Sequence, residues 1–155
     1  MPNLLLHPWS GLFSAWLLGG FLIAAAIPKI GDPPAFAQNL FAYHLLPAAL
    51  LSPVALTLPW LELWTGVGLL LPRMRRSAAL LALGVMLVFL GALGSNLARG
   101  NALDCGCFGA AKTVRTRAQK LFDMKVAIAR DLGLGLLALH LLAVARRNES
   151  TAFED

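Results

Sequence analysis

The chain has 155 residues, of which 58% are hydrophobic and 14% charged, where a soluble domain carries about a quarter charged residues. The charges are clustered and leave long apolar runs, so a soluble globular domain is excluded and an integral membrane protein indicated. The net charge of +5 sits on basic residues flanking those runs, which points to anionic headgroups; no groove-reading or base-stacking module is present, which excludes nucleic acid as a partner.

A crossing takes about 20 apolar residues, so the length holds roughly four spans. The expected fold is all-α: a four-transmembrane-helix bundle with a short interfacial helix between spans 1 and 2 and a Cys-Gly-Cys loop between spans 3 and 4. Spans are expected at about 9–27, 48–71, 77–98 and 126–145, inside a single membrane domain of residues 1–147 with a polar tail at 148–155. The first run, Trp9 to Ile27, ends in Ala24-Ala25-Ala26, which resembles a signal-peptidase site. Met1 to Pro8 has no Lys or Arg and three more spans follow, so the run reads as a retained span.

Beyond Lys29, Asp32 can cap a helix whose first turn holds Pro33. Phe36, Leu40 and Tyr43 or His44 share a face of it, and it should stop near Pro47. The second span contains Pro53 and Pro59, so a kink is expected, and a lone acid, Glu62, between Trp60 and Trp64. Pro72-Arg73-Met74-Arg75-Arg76 forms a tight basic turn. In the third span Gly84, Val88, Gly91 and Ser95 form a stripe suited to close helix contact in lipid. After the cysteine loop, the basic stretch Lys112 to Lys125 reads as an amphipathic segment lying on headgroups, ahead of the fourth span.

Four crossings put both termini and the arginine turn on one face, and the cysteine loop with the interfacial helix on the other. Arg73, Arg75, Arg76, Arg146 and Arg147 favour the first face as cytoplasmic. Arg99, Lys112, Arg115, Arg117, Lys120 and Lys125 pull the other way. Disulfide chemistry belongs outside the cytosol, which breaks the tie and makes the loop extracytoplasmic.

Cys105 and Cys107 are the only cysteines. Gly106 permits the sharp bend a Cys-x-Cys disulfide needs, and so small a ring is strained and suited to exchange. Arg99 and Lys112 favour the thiolate; Asp104 opposes it. A structural staple, a reduced inert pair and a Cu(I) site remain open readings. An acid within a span is costly and faces the bundle interior with a partner. Glu62 is therefore read as a proton relay or a buried charge, with Lys29, Asn96, Arg99 or Arg130 as candidate partners. His140 reads as a packed histidine, and the tryptophans as interface or packing residues.

The runs Lys29-x-x-Asp32-Pro33-x-x-Phe36-Ala37, Tyr43-x-Leu45-Leu46-Pro47, Leu58-Pro59-x-x-Glu62-x-x-x-Gly66, Asn96-x-x-Arg99-Gly100, Cys105-Gly106-Cys107-Phe108-Gly109 and Arg130-Asp131 resemble the MauE branch of the DoxX/MauE membrane proteins. The basic stretch Lys112 to Lys125 departs from that pattern. The resemblance implies a multi-pass protein of the bacterial cytoplasmic membrane. It also implies a redox accessory role in maturing disulfide-containing proteins such as methylamine dehydrogenase, beside a thioredoxin-like (MauD- or TlpA-like) partner.

The expectation is thus a component of a thiol–disulfide oxidoreductase. Cys105 and Cys107 form its redox pair, and Glu62 handles protons or holds charge. Lys29, Asn96, Arg99, Gly106 and Arg130 support the site. It needs no metal, and a quinone is the one cofactor it admits. The rival expectations are a non-catalytic membrane scaffold for a redox partner, and a soft-metal or small-solute carrier. Oligomeric state is left open by the sequence.

Overall fold

A computed structural model describes residues 8–101 and 116–151. Five helices follow one another: α1 (Pro8–Gly31), α2 (Pro33–Ala42), α3 (Ala48–Leu70), α4 (Arg75–Ala98) and α5 (Arg117–Thr151). Four of them, all but α2, are long and apolar enough to cross a membrane, and no strand occurs among the described residues. The four long helices close a ring in which α1 packs on α3 and α5, and α4 on α3 and α5. Successive long helices run antiparallel, with α2 laid against α3 and α1 at one end.

The boundaries have local causes. Asp32 caps α2 by accepting a hydrogen bond from the Ala35 amide (3.1 Å), with Pro33 in the first turn, as the sequence indicated. Phe36 and Tyr43 turn inward and His44 outward. α2 ends at Ala42, ahead of Pro47, where His44 takes a positive φ of 50°. α3 runs without interruption through Pro53 and Pro59. Its last turn is closed by Arg75, whose Nε donates to the Leu69 carbonyl (3.1 Å), giving a donor to one of the carbonyls that a helix end leaves without an intrahelical partner.

α4 ends in a Schellman motif. Gly100, with φ +72°, donates to the Leu97 carbonyl (3.0 Å), and the Asn101 amide to that of Asn96 (3.0 Å); the left-handed backbone angle is what a glycine at this position permits.

α5 departs from expectation. It is one helix of 35 residues, not a headgroup-lying segment followed by a separate span. The reason is a reciprocal capping box. The Thr116 hydroxyl accepts from the Gln119 amide (3.3 Å), and Gln119 Oε1 accepts from the Thr116 amide (2.9 Å), which starts the helix well before the apolar run begins. At about 1.5 Å per residue such a helix is longer than a hydrocarbon core of about 30 Å. Of the apolar residues in its first turns, Met124 is buried, whereas Phe122 is 67% exposed.

Large apolar side chains such as Trp9, Phe13, Trp64 and Leu136 face outward, and many buried positions are small: Ala15, Ala26, Ala79, Ala82 and Ala138. This is the distribution expected where the surroundings are as apolar as the core, so that close backbone approach drives helix association. The closest approach is between α1 and α3. A Cβ built on Gly66 would stand 2.9 Å from the Gly19 carbonyl oxygen and 2.8 Å from Ile23 Cγ1. The stripe expected to make such contact, on α4, does not make it. Gly84, Val88 and Gly91 are exposed, and a Cβ on Gly84 or Gly91 would meet nothing within 4 Å.

Candidate functional site: a buried ion-pair layer

Two apolar clusters fill the bundle. One holds Leu18, Leu22, Leu69, Met86, Leu134 and Leu141. The other holds Tyr43, Leu93, Met124 and Ala127. On α5, Asp131 falls between Ala127 of one and Leu134 of the other, and on α4 Phe89 falls between Met86 and Leu93. The polar groups gather in this intervening layer.

Its centre is Lys29, in the last turn of α1, joined to Glu62 in the interior of α3. The ammonium donates to both carboxylate oxygens, at 2.8 Å to Oε1 and 2.7 Å to Oε2, and both side chains are 2% exposed. Lys29 Nζ also stands 5.3 Å from the ring centroid of Phe36 and 5.1 Å from that of Phe89, so two aromatic faces cover the cation. Asp131 is buried on α5. Asp131 accepts from Arg130 Nε (3.0 Å) and Nη2 (2.8 Å) through Oδ1, and the Arg130 guanidinium lies 5.1 Å from the centroid of Phe21. The four formal charges balance within the layer, as buried charges must.

A second node lies at the end of α4. Asn96 is fully buried. Its Nδ2 donates to the carbonyls of Tyr43 (3.3 Å) and Ala92 (3.1 Å), and its Oδ1 accepts from Asn101 Nδ2 (3.3 Å). The end of α2 is thereby fastened to the end of α4. Next to it, Arg117 Nη2 donates to the Gly100 carbonyl (3.2 Å), tying the start of α5 to the end of α4. At the opposite end of the bundle, Ser14 Oγ and His140 Nδ1 share a hydrogen bond (3.1 Å) between α1 and α5, which gives His140 the packed role read from the sequence.

Of the candidate partners for Glu62, the structure supplies Lys29. Arg130 reaches the same layer through Asp131. Asn96 forms its own node, and Arg99 is exposed. Cys105, Gly106 and Cys107 lie outside the described residues, as do Lys112 and Arg115. Asp131 was not among the candidates, although the rule that singled out Glu62, an acid inside a span, applies to it equally. Phe36 and Phe89 carried no polar signal to find. Among the described residues, no group of three or more His, Cys, Asp or Glu side chains gathers as metal ligands would.

These features define a class: a multi-pass membrane protein whose four apolar helices enclose a neutralised charge layer, with the end of its third long helix fastened to the start of its fourth. Comparison with known proteins narrows this. The family model for methylamine utilisation protein MauE matches residues 7–144, and the chain belongs to that family. The chain is 40% identical over 121 residues to the methylamine utilization protein MauE of Methylorubrum extorquens, covering 77% of this chain and 61% of that protein. It is 37% identical over 108 residues to the one from Methylophilus methylotrophus, covering 69% and 57%. A third, from Paracoccus denitrificans, is 37% identical over 98 residues, 60% of this chain and 53% of that protein. The chain thus spans little more than half the length of the curated relatives it matches. No solved structure matches it.

Proposed function

We propose that this protein is a methylamine-utilisation accessory protein of the bacterial cytoplasmic membrane, with Cys105 and Cys107 exchanging a disulfide with a thioredoxin-like partner outside the cytosol. Each exchange passes through thiolate attack and a mixed disulfide. Two electrons and two protons move between the pairs, one pair ending as a disulfide and the other as a dithiol. The printed names of the relatives support the setting.

The observation that carries the reading is the joint closure at the end of the bundle. Asn96 binds the Tyr43 carbonyl, and Arg117 binds the Gly100 carbonyl, so the end of α4 and the start of α5, which bracket the cysteine pair in the sequence, are fastened together beside α2. Both Glu62 oxygens are engaged by Lys29, which suits a fixed charge that braces this end better than a proton carrier. Lys29, Asn96 and Arg130 then act as positioning residues.

Thiol trapping in intact cells tests the exchange. The native chain is expected to cycle between reduced and oxidised forms, and Cys107→Ser to accumulate a mixed disulfide with a thioredoxin-like protein. Full methylamine-dependent growth with Cys105→Ser/Cys107→Ser would sink the exchange. It would leave the second reading, a scaffold that holds a redox partner without turning over, which the paired charges of the interior also favour.

A further inference from the structure

The midpoint of α3 falls at Pro59. The next residue, Trp60, faces outward, as does Trp64 one turn on; they are 49% and 67% exposed. At about 1.5 Å per residue, both stand inside a hydrocarbon half-thickness of about 15 Å. Indoles are ordinarily found at the membrane edges. Trp16 conforms, since it precedes by one turn Gly19, which packs on Leu69 and Leu70 at the end of α3. Trp60 and Trp64 do not. Neither donates its indole N–H to an acceptor among the described residues, and lipid tails offer none.

One turn before Trp60, on the same face, stands Thr57, also exposed. Its hydroxyl donates to the Pro53 carbonyl (2.8 Å). The proton is thereby spent, and Oγ1 presents only lone pairs to its surroundings. The middle of α3 thus carries a donor lacking an acceptor and, beside it, an acceptor lacking a donor, which do not bond to each other within one chain.

A second copy of this face satisfies both groups, whereas lipid would leave both unpaired. Two copies inserted the same way are related by a two-fold axis along the bilayer normal, so equal depths meet and each contact occurs twice. Helical side chains lean toward the N-terminus of their own helix, which carries the Trp60 indole toward the depth of Thr57 on the helix opposite.

We propose that this face of α3 joins two copies of the chain within the membrane, with Trp60 Nε1 of each donating to Thr57 Oγ1 of the other and Trp64 packing beside the pair. The contact stands apart from the proposed cysteine exchange and does not depend on it.

The test places the full chain, fluorescently labelled at its C-terminus, in vesicles of phosphatidylethanolamine and phosphatidylglycerol. Copies are counted by single-molecule photobleaching over a range of protein-to-lipid ratios. The native chain is expected to pass from monomer to dimer as its density rises. Trp60→Phe removes the donor and keeps an aromatic ring; Thr57→Val removes the acceptor and keeps the shape. Each breaks two symmetry-related bonds and should weaken dimerisation about tenfold, the scale of two interhelical hydrogen bonds in lipid. Because the two groups are partners, the double variant should dimerise no more weakly than either single. Trp16→Phe makes the same change on α1 and should dimerise as the native chain does. A native chain that stays monomeric at every density overturns the proposal and leaves the face to lipid or to the span of a different protein. Dimerisation unchanged in Trp60→Phe and Thr57→Val, losses that add in the double variant, or an equal loss in Trp16→Phe overturns it as well.

Discussion

Lys29 and Glu62, 33 positions apart in the chain, meet through both carboxylate oxygens at 2.7 and 2.8 Å with neither side chain more than 2% exposed. A pair so completely desolvated is asymmetric in its energetics. Removing one partner strands the other, whereas removing both can be nearly neutral. Lys29→Met and Glu62→Leu should each destabilise the bundle by about 3–5 kcal/mol, and the double variant should regain most of that loss. Unfolding of the purified protein in a mixed detergent series would measure all three. A double variant no more stable than either single would mean that the pair is not an isolated unit and that Asp131 shares its charge.

Gly66 and Gly19 set the distance between α1 and α3. A Cβ on Gly66 has the Gly19 carbonyl at 2.9 Å and the Ile23 amide nitrogen at 3.2 Å, and backbone cannot move aside as a side chain can. Gly66→Val should cost about 1–3 kcal/mol, as overpacking does, and should disturb the α1–α3 contact that brings Lys29 to Glu62. Gly84→Ala and Gly91→Ala meet open space and should be neutral or slightly stabilising through helix propensity. The same unfolding assay compares the three, and equal losses would contradict the packing described.

Thr65 lies one turn beyond Glu62 on α3. It is buried, and its Oγ1 has no hydrogen-bond partner among the described residues. Thr65→Val keeps the shape and removes the unpaired hydroxyl. It should leave stability unchanged or raise it by about 1 kcal/mol. A clear destabilisation would show that the hydroxyl has a partner in the membrane, such as a bound water.

Asn96→Leu should loosen the end of the bundle without unfolding it. It removes the donor to the Tyr43 carbonyl and the acceptor of the Asn101 side-chain Nδ2, at a cost of about 1–3 kcal/mol. Amide exchange of the purified protein should quicken around Tyr43 and from Asn96 to Asn101 while the centre of α3 stays protected. Uniform quickening throughout would mean that the node supports the whole fold.

How much of this was legible follows from which signals lipid preserves. The four crossings, the Asp32 cap, the inward Phe36–Tyr43 face and the need of Glu62 for a partner all rest on rules that survive in a membrane. Which face of a span points inward does not. When core and surroundings are equally apolar, the α4 stripe at Gly84, Val88 and Gly91 looks the same as the α1–α3 contact at Gly19 and Gly66. The continuous α5 was readable in principle from Thr116-x-x-Gln119, but basic composition drew attention to headgroups instead. The choice of Lys29 over Arg99 was not readable, because a long flexible side chain at a span end can turn inward or outward, and only the approach of Phe36 and Phe89 decides it.

The ion pair also has a direction in time. Synthesis runs from the amino terminus, so the chain delivers its cation before its anion. Lys29 stands in the last turn of its helix, where a lysine can wait with its charge among the headgroups. Glu62, in the interior of α3, has no such refuge, and it reaches the bilayer when its counterion is already there. An order reversed by exchanging the two residues would present the newborn span with a naked carboxylate, and a protein of the same contacts would face a harder insertion.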